Sequence, residues 1–300
     1  MSDGNITDDD LPSLDEFALL PENAEQAGID SPLPPVQRID TGAISALKFG
    51  AEPPRVLFLH GGGQNAHTWD TVILGLGAPA LAVDLPGHGR SAWREDGDYG
   101  PKRSAETLIP VLREHAPSPT LVVGMSLGGL TALRIAATAA DLVPELVLVD
   151  VTPSAPARHT EMTDAQKGTV ALVQGDRTFP SFAAMLDITV AAAPHRDRKS
   201  LRRGVFHNSK RLDDGTWTWR YDSFRNGDGF EGLWDDVPAI TMPTTLVRGA
   251  NSHFVNDADA EQFAQDAPGF QRTIMVADSG HSVQSDQPHL LIEILRRLLP

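Results

Sequence analysis

The five residues Gly124-Met125-Ser126-Leu127-Gly128 constrain this chain more than any other stretch. They follow a short apolar run, Thr120 to Val123, and open the alanine- and leucine-rich segment Leu127 to Ala140. The first reads as a buried strand and the second as a strong helix former. A serine between them sits in a sharp strand-to-helix turn, held in a strained backbone conformation. Glycines two residues to either side let neighbouring chain pass where a side chain would clash. The hydroxyl then projects from the carboxyl edge of a sheet. The backbone N–H of Leu127, at the helix N-terminus, faces any negative charge developing beside it.

The rest of the chain supplies the sheet that such a turn needs. Arg55 to Leu59, Ala80 to Val83, Glu145 to Val149, Thr244 to Val247 and Thr273 to Val276 are short apolar runs that read as buried strands. Val36 to Asp40 and Ile44 to Phe49 read as an opening hairpin around Thr41-Gly42. Ser104 to His115 (with Ser104 as N-cap), Asp259 to Gln265 and Pro288 to Leu299 carry helical patterns. Strands alternating with helices predict the α/β class, with a mostly parallel sheet covered on both faces. The stretch from Pro153 to Val237 breaks the rhythm and reads as an insertion. Directly after Arg55 to Leu59 comes His60-Gly61-Gly62-Gly63. Its glycines let a backbone N–H, of Gly62 or Gly63, face the same developing charge as Leu127.

After Ala80 to Val83 stands Asp84-Leu85-Pro86-Gly87-His88-Gly89-Arg90-Ser91. With HGGG before it and GMSLGG after it, the chain resembles the α/β-hydrolase superfamily over residues 36–153 and 238–300. The resemblance implies a mostly parallel central sheet flanked by helices, a mainly helical cap or lid over 154–237, and an acidic N-terminal extension over 1–35. It implies a serine hydrolase with Ser126 as nucleophile. Ser279-Gly280-His281-Ser282 is similar to the family's histidine loop, which makes His281 the base. In the family the DLPGHGRS segment is conformational, so His88 is given a structural role. His289 falls just inside a helix start and is expected to be exposed.

The chain departs from the family at the acid. The usual position is the turn after Thr244 to Val247, which here reads Gly249-Ala250-Asn251-Ser252-His253, with Ser252 where the carboxylate is expected. Some branches, haloalkane dehalogenases among them, take the acid from the end of the preceding strand, here Asp150. Asp257 reaching back, or no acid at all, are the alternatives. Asp150 is the assignment carried forward. Dehalogenase and epoxide hydrolase chemistry is disfavoured, because those relatives use an aspartate at the position of Ser126.

In the insertion, Phe179, Phe182, Met185, Leu186 and Ile188 form either a pocket wall or plain core. His207-Asn208 is a candidate to reach the pocket. Arg196 to Arg203 reads as a solvated helix face or, as the minority view, a clamp for an anionic substrate. Trp217, Trp219 and Tyr221 read as an extended segment packed on the body. The whole points to a small or medium, mostly apolar carboxylic ester or lactone, cleaved through an acyl-enzyme. Hydrolysis of C–C bonds in ring-cleavage products uses the same residues. A ligand receptor with slow or absent turnover is the reading from a different class. No cofactor and no metal is implied, and the expected partner is a small-molecule substrate.

Net charge is −15, and the first 37 residues hold nine acidic residues and no lysine or arginine. Such a chain repels nucleic acid and anionic membrane surfaces. The tail is expected to be a solvated extension, with a partner-binding role as the alternative, Leu14, Phe17, Ala18 and Leu20 placing an apolar stripe on a short helix. Without cysteine, disulfides and thiol catalysis are excluded. No apolar run is long enough to span a membrane. The start lacks the basic-then-apolar pattern of a secretory leader, so a cytoplasmic protein is expected.

Overall fold

The computed structural model describes residues 14–223 and 227–299. Val36–Asp40 (β1) and Ser45–Phe49 (β2) pair as an antiparallel hairpin, Val36 opposite Phe49. Val56–Leu59 (β3), Ala80–Val83 (β4), Leu121–Met125 (β5) and Leu146–Val149 (β6) are each buried along their whole length. Strands covered on both faces carry apolar residues continuously, which is what made these runs legible. Thr178–Phe179 (β7), Ser209–Arg211 (β8) and Trp217–Trp219 (β9) form a separate antiparallel sheet in the order β7-β9-β8. Thr244–Gly249 (β10) and Phe270–Val276 (β11) complete the main sheet, an eight-stranded one ordered β1-β2-β4-β3-β5-β6-β10-β11. Its pairs are antiparallel at β1/β2 and β2/β4 and parallel elsewhere. β11 is an edge strand, exposed along most of its length and starting three residues before the apolar run that announced it.

The helices are Leu20–Gln26 (α1), Asp70–Leu76 (α2), Pro101–His115 (α3), Leu127–Thr138 (α4), Ala155–Glu161 (α5), Asp164–Lys167 (α6), Phe182–Ala192 (α7), Arg198–Asn208 (α8), Leu233–Asp236 (α9), Asp257–Asp266 (α10), Val283–Asp286 (α11) and Pro288–Leu298 (α12). α1, α2 and α12 cover one face of the sheet, where Leu20, Val72, Ile73, Leu291 and Leu295 join Phe58 and Val123. α3, α4 and α10 cover the other, where Leu108, Leu130, Leu133 and Phe263 join Leu57 and Val122. Neighbours such as Val122 and Val123 serve opposite faces because side chains alternate along a strand. Each such leucine, fully buried, contributes about 1.5–3 kcal/mol.

Two expectations are corrected here and one open alternative is decided. Ser104 does not cap α3. The helix opens at Pro101, whose fixed φ suits a first helical position, and the buried Ser104 hydroxyl donates to the carbonyl of Tyr99 at 3.2 Å. Of the two readings of Phe179, Phe182, Met185 and Leu186, pocket wall or plain core, the structure bears out core. These four pack with Trp217 and Trp219, with Ile188 against them.

The other correction joins the two charged segments. The Arg196 to Arg203 run is solvated only in part: Arg198 and Lys199 are exposed, Arg196 pairs with Asp286 at 2.5 Å, and Arg202 and Arg203 lie against the acidic N-terminal segment. Arg202 pairs with Glu22 at 2.7 Å and Lys199 with Glu25 at 2.8 Å. Arg203, only 5% exposed, bonds Glu22 and Gln26. The described part of the tail is therefore docked, with Leu19 and Leu20 buried. Residues 1–13 lie outside the described residues. Glu16 bonds Arg38 and also His67, whose other nitrogen meets Asp70 at 2.8 Å. Burial alone would lower the His67 pKa, but the two carboxylates override it and raise it to about 9.

Candidate active site

Parallel neighbours in a sheet send their connections out at the same edge, so residues far apart in sequence meet there. Ser126 follows β5, Asp150 follows β6, Ser252 follows β10 and His281 follows β11. These four strands are consecutive in the sheet.

Ser126 has φ 51° and ψ −121°, a conformation non-glycine residues rarely adopt, costing on the order of 1–3 kcal/mol. The turn holds it because the helix packs hard on the sheet. A Cβ on Gly128 would lie 2.3 Å from the Leu59 carbonyl oxygen, and one on Gly124 2.6 Å from the carbonyl oxygen of Gly128. Backbone cannot yield as a flexible side chain can. Gly128→Ala is therefore expected to destabilise the fold by about 1–3 kcal/mol or more. Thermal melting checks this; an unchanged midpoint would show that the packing is looser than these distances.

Asp150 is fully buried, also at positive φ (52°). Its Oδ1 accepts the Gly249 N–H at 3.0 Å. Its Oδ2 lies 2.7 Å from His281 Nδ1 and also accepts the Ser252 hydroxyl. The histidine ring is stacked on Phe254, centroids 3.5 Å apart and planes at 11°. With one nitrogen tied to Asp150 and one face against a phenyl ring, its orientation is fixed. Its Nε2 is buried without a hydrogen-bond partner. The sequence alternative Asp257 is elsewhere, largely exposed at the start of α10 and paired with Arg248 at 2.9 Å. His253 and His289 are exposed. Sequence reasoning missed Ser252 and Phe254 as supports of this pair, since no local signal marks a hydroxyl that bonds a carboxylate on another strand.

The glycine loop passes close to Ser126: a Cβ on Gly61 would come within 3.3 Å of the serine Cβ. The loop is braced by His60, whose Nε2 accepts the Leu85 N–H at 2.9 Å and whose Nδ1 therefore donates to the Gly61 carbonyl at 2.8 Å. Burial pushes the His60 pKa down to about 4, so the ring is neutral. His88, buried beside it, bonds the Pro86 carbonyl at 2.9 Å. Asp84 organises the remainder of its segment, accepting the N–H groups of Ala66 (2.7 Å) and Arg90 (3.0 Å) and the Arg38 guanidinium (2.9 Å).

A stability prediction follows from His60. Its folded pKa lies below the unfolded value near 6.5, so as pH falls between these values the unfolded chain takes up a proton that the native state refuses. Stability from this group is complete above 6.5 and is lost on the way down to about 4. The melting temperature is expected to fall across this window, less steeply in His60→Gln. Parallel profiles for the two proteins would contradict the assignment.

Two cavities open here. One of about 170 Å³ is lined by Gly62, Gly63, Val173, Leu201, His207 and Tyr221. The other, about 880 Å³, is lined by His281, Ser252, Asn251, Ser282, Lys167 and Pro194. His207 and Asn208 thus reach the first cavity. Asn208 donates through Nδ2 to the Gly63 carbonyl and accepts from Asn65 at 3.2 Å.

Residues 56–294 match the alpha/beta hydrolase family, and the chain belongs to that family. It is 67% identical over 294 residues to esterase Rv0045c of Mycobacterium tuberculosis, covering 98% of this chain and 99% of that one. A solved structure of the same M. tuberculosis esterase, described together with its inhibition by transition metals, superposes with a TM-score of 0.88 at 68% identity, over 95% of this chain and 98% of that one. A more distant relative, 2-(acetamidomethylene)succinate hydrolase of Mesorhizobium japonicum, is 26% identical over 88% of this chain and 94% of its own.

Proposed function

We propose that this protein is a serine esterase acting on small or medium, mostly apolar carboxylic esters through an acyl-enzyme. The observation that carries the reading is the His281–Asp150 contact of 2.7 Å, with His281 Nε2 left buried and unpartnered. In this reading Asp150 holds the Nδ1–H tautomer and stabilises the imidazolium, and Nε2 removes the proton of Ser126. The same proton goes to the leaving alkoxide, and a water repeats the sequence to release the acid. The N–H groups of Leu127 and of Gly62 or Gly63 face the oxyanion, one such donor being worth about 3–4 kcal/mol elsewhere. Residues 154–237 act as the cap, bounding both cavities and limiting water.

The missing carboxylate in the Gly249 turn made a ligand receptor less remote, and Asp150 beside His281 supports the enzyme reading instead. No helix among the described residues is long and apolar enough to cross a membrane. Transition-metal inhibition, described for the M. tuberculosis relative, is expected to extend to this chain. The test of the main reading is a panel of acyl esters, lactones and a vinylogous diketone, with labelling by a fluorophosphonate probe. Hydrolysis of short acyl esters with labelling at Ser126 is expected. Turnover of the diketone alone would favour C–C hydrolysis, and neither turnover nor labelling would overturn the enzyme reading.

A further inference from the structure

Away from Ser126 and His281, a cavity of about 160 Å³ is lined by the sheet's first half and by residues of the 154–237 stretch. Five of its lining residues are cations, Arg38, Arg90, Lys210, Arg211 and Arg220, against two carboxylates, Glu16 and Asp84. We infer that this cavity is a binding site for the phosphomonoester group of a small soluble ligand.

Folding gathers the cations from separate segments. Arg38 lies on β1, Arg90 in the loop after β4, Lys210 and Arg211 on β8, and Arg220 directly after β9. β8 and β9 run antiparallel with Ser209 opposite Trp219, which sets Arg220 beside Ser209. The Arg220 Nε donates to the Ser209 carbonyl at 2.7 Å. Like charges brought together repel, and in a partly buried site solvent ions screen that repulsion less than on an open surface.

The carboxylates present do not balance the group. Arg38 is answered by Glu16 and by Asp84, and Arg90 shares Glu16 at 3.3 Å. Among the described residues, Arg220, Lys210 and Arg211 form no ion pair with a carboxylate. Lys210 lies over the exposed Trp93 ring, 5.3 Å from its centroid, and Arg211 donates to the Gly215 carbonyl at 3.4 Å. Burial, and then Arg90 beside it, lower the Arg220 pKa from the ordinary arginine value. His207 on the same wall is held neutral by burial and by His67, Arg38, Arg203 and Arg220 around it. A second, independent observation is Ser209. It lines the cavity, is only 2% exposed, and its hydroxyl has no hydrogen-bond partner. Unbalanced cations and an orphaned hydroxyl in one cavity are satisfied together by an anion rich in acceptors.

The charge selects the anion. Guanidinium forks match carboxylate and phosphate oxygens alike. Three unpaired cations exceed what one carboxylate neutralises. A phosphomonoester carries about −1.5 to −2 at pH 7 and three strong acceptor oxygens. The net charge of −15 opposes an extended polyanion or an anionic membrane, which leaves a small ligand. The inference does not rest on the esterase reading.

The experiment titrates inorganic phosphate and adenosine monophosphate into the full chain by calorimetry at constant ionic strength, with acetate and chloride as controls. One phosphate per chain is expected, with affinity weakened about tenfold or more in Arg220→Gln and in Lys210→Gln. Lys210 is partly solvated, so its variant keeps the test valid if Arg220→Gln fails to fold. No phosphate binding to the wild type, or undiminished binding in the folded variants, overturns the site. Acetate binding as tightly as phosphate overturns the choice of anion. Co-sedimentation with phosphatidic acid vesicles, without binding of either soluble phosphate, overturns the small ligand in favour of a lipid headgroup.

Discussion

Replacing Ser126 with alanine is expected to lower ester turnover by about 10⁴–10⁶-fold and to remove all labelling by a fluorophosphonate. The alcohol-release burst of the wild type, measured by stopped flow with a p-nitrophenyl acyl ester, should vanish with it. Covalent chemistry is what is lost: the ester carbonyl no longer has an attacking oxygen, and what remains is water assisted by the oxyanion donors. Folding should survive. The hydroxyl makes no hydrogen bond to His281 Nε2, which is unpartnered, and the turn is set by backbone packing at Gly124 and Gly128. A burst that persists in Ser126→Ala would place the nucleophile elsewhere.

The second large effect concerns the acid. Asp150→Asn should reduce turnover by about 10⁴-fold with little loss of fold. The amide keeps an oxygen for the Gly249 N–H, but its NH₂ group faces His281 Nδ1 or the Ser252 hydroxyl. That favours the tautomer with the proton on Nε2, which cannot accept one from Ser126. Ser252 supplies a sharper version of the test. Its hydroxyl and His281 Nδ1 both bond the same oxygen of Asp150, so the two positions lie within two hydrogen bonds of each other. Moving the carboxylate, as Asp150→Ser with Ser252→Asp, should recover at least about tenfold of the activity lost in Asp150→Ser alone. No recovery in a folded double variant would mean that the Gly249 turn holds Ser252 at the wrong angle. Near-normal activity in Asp150→Asn would remove Asp150 from the mechanism.

Residue pattern alone determined most of the sheet. Continuous apolar runs can be buried on both faces only in a covered parallel sheet, so β3 to β6 and β10 were legible with ends misplaced by a residue or two. The strand–serine–helix turn was legible from its local pattern, although only Gly124 is demanded by backbone within a few residues, Gly128 answering to Leu59 on the neighbouring strand. Weaker patterns misled: the exposed edge strand β11 extends beyond its apolar half, and Ser104 drew attention from Pro101.

What only tertiary structure decided are the contacts between segments distant in the chain. On paper Asp150 is preferred to Asp257 for its place at a strand's end, yet local pattern could not show which of them meets His281. The sheet order, which sets β6 beside β10 and β10 beside β11, brings the first to His281 and leaves the second on Arg248. The acidic segment and the basic run each read as solvated until folding set α1 against α8, where their charges pair. Arg38, Arg90 and Arg220 carry no shared motif, since Arg220 reaches the others from an insertion. Local pattern records what a residue must do for its own strand or helix; which distant partner it meets is fixed by how those elements pack.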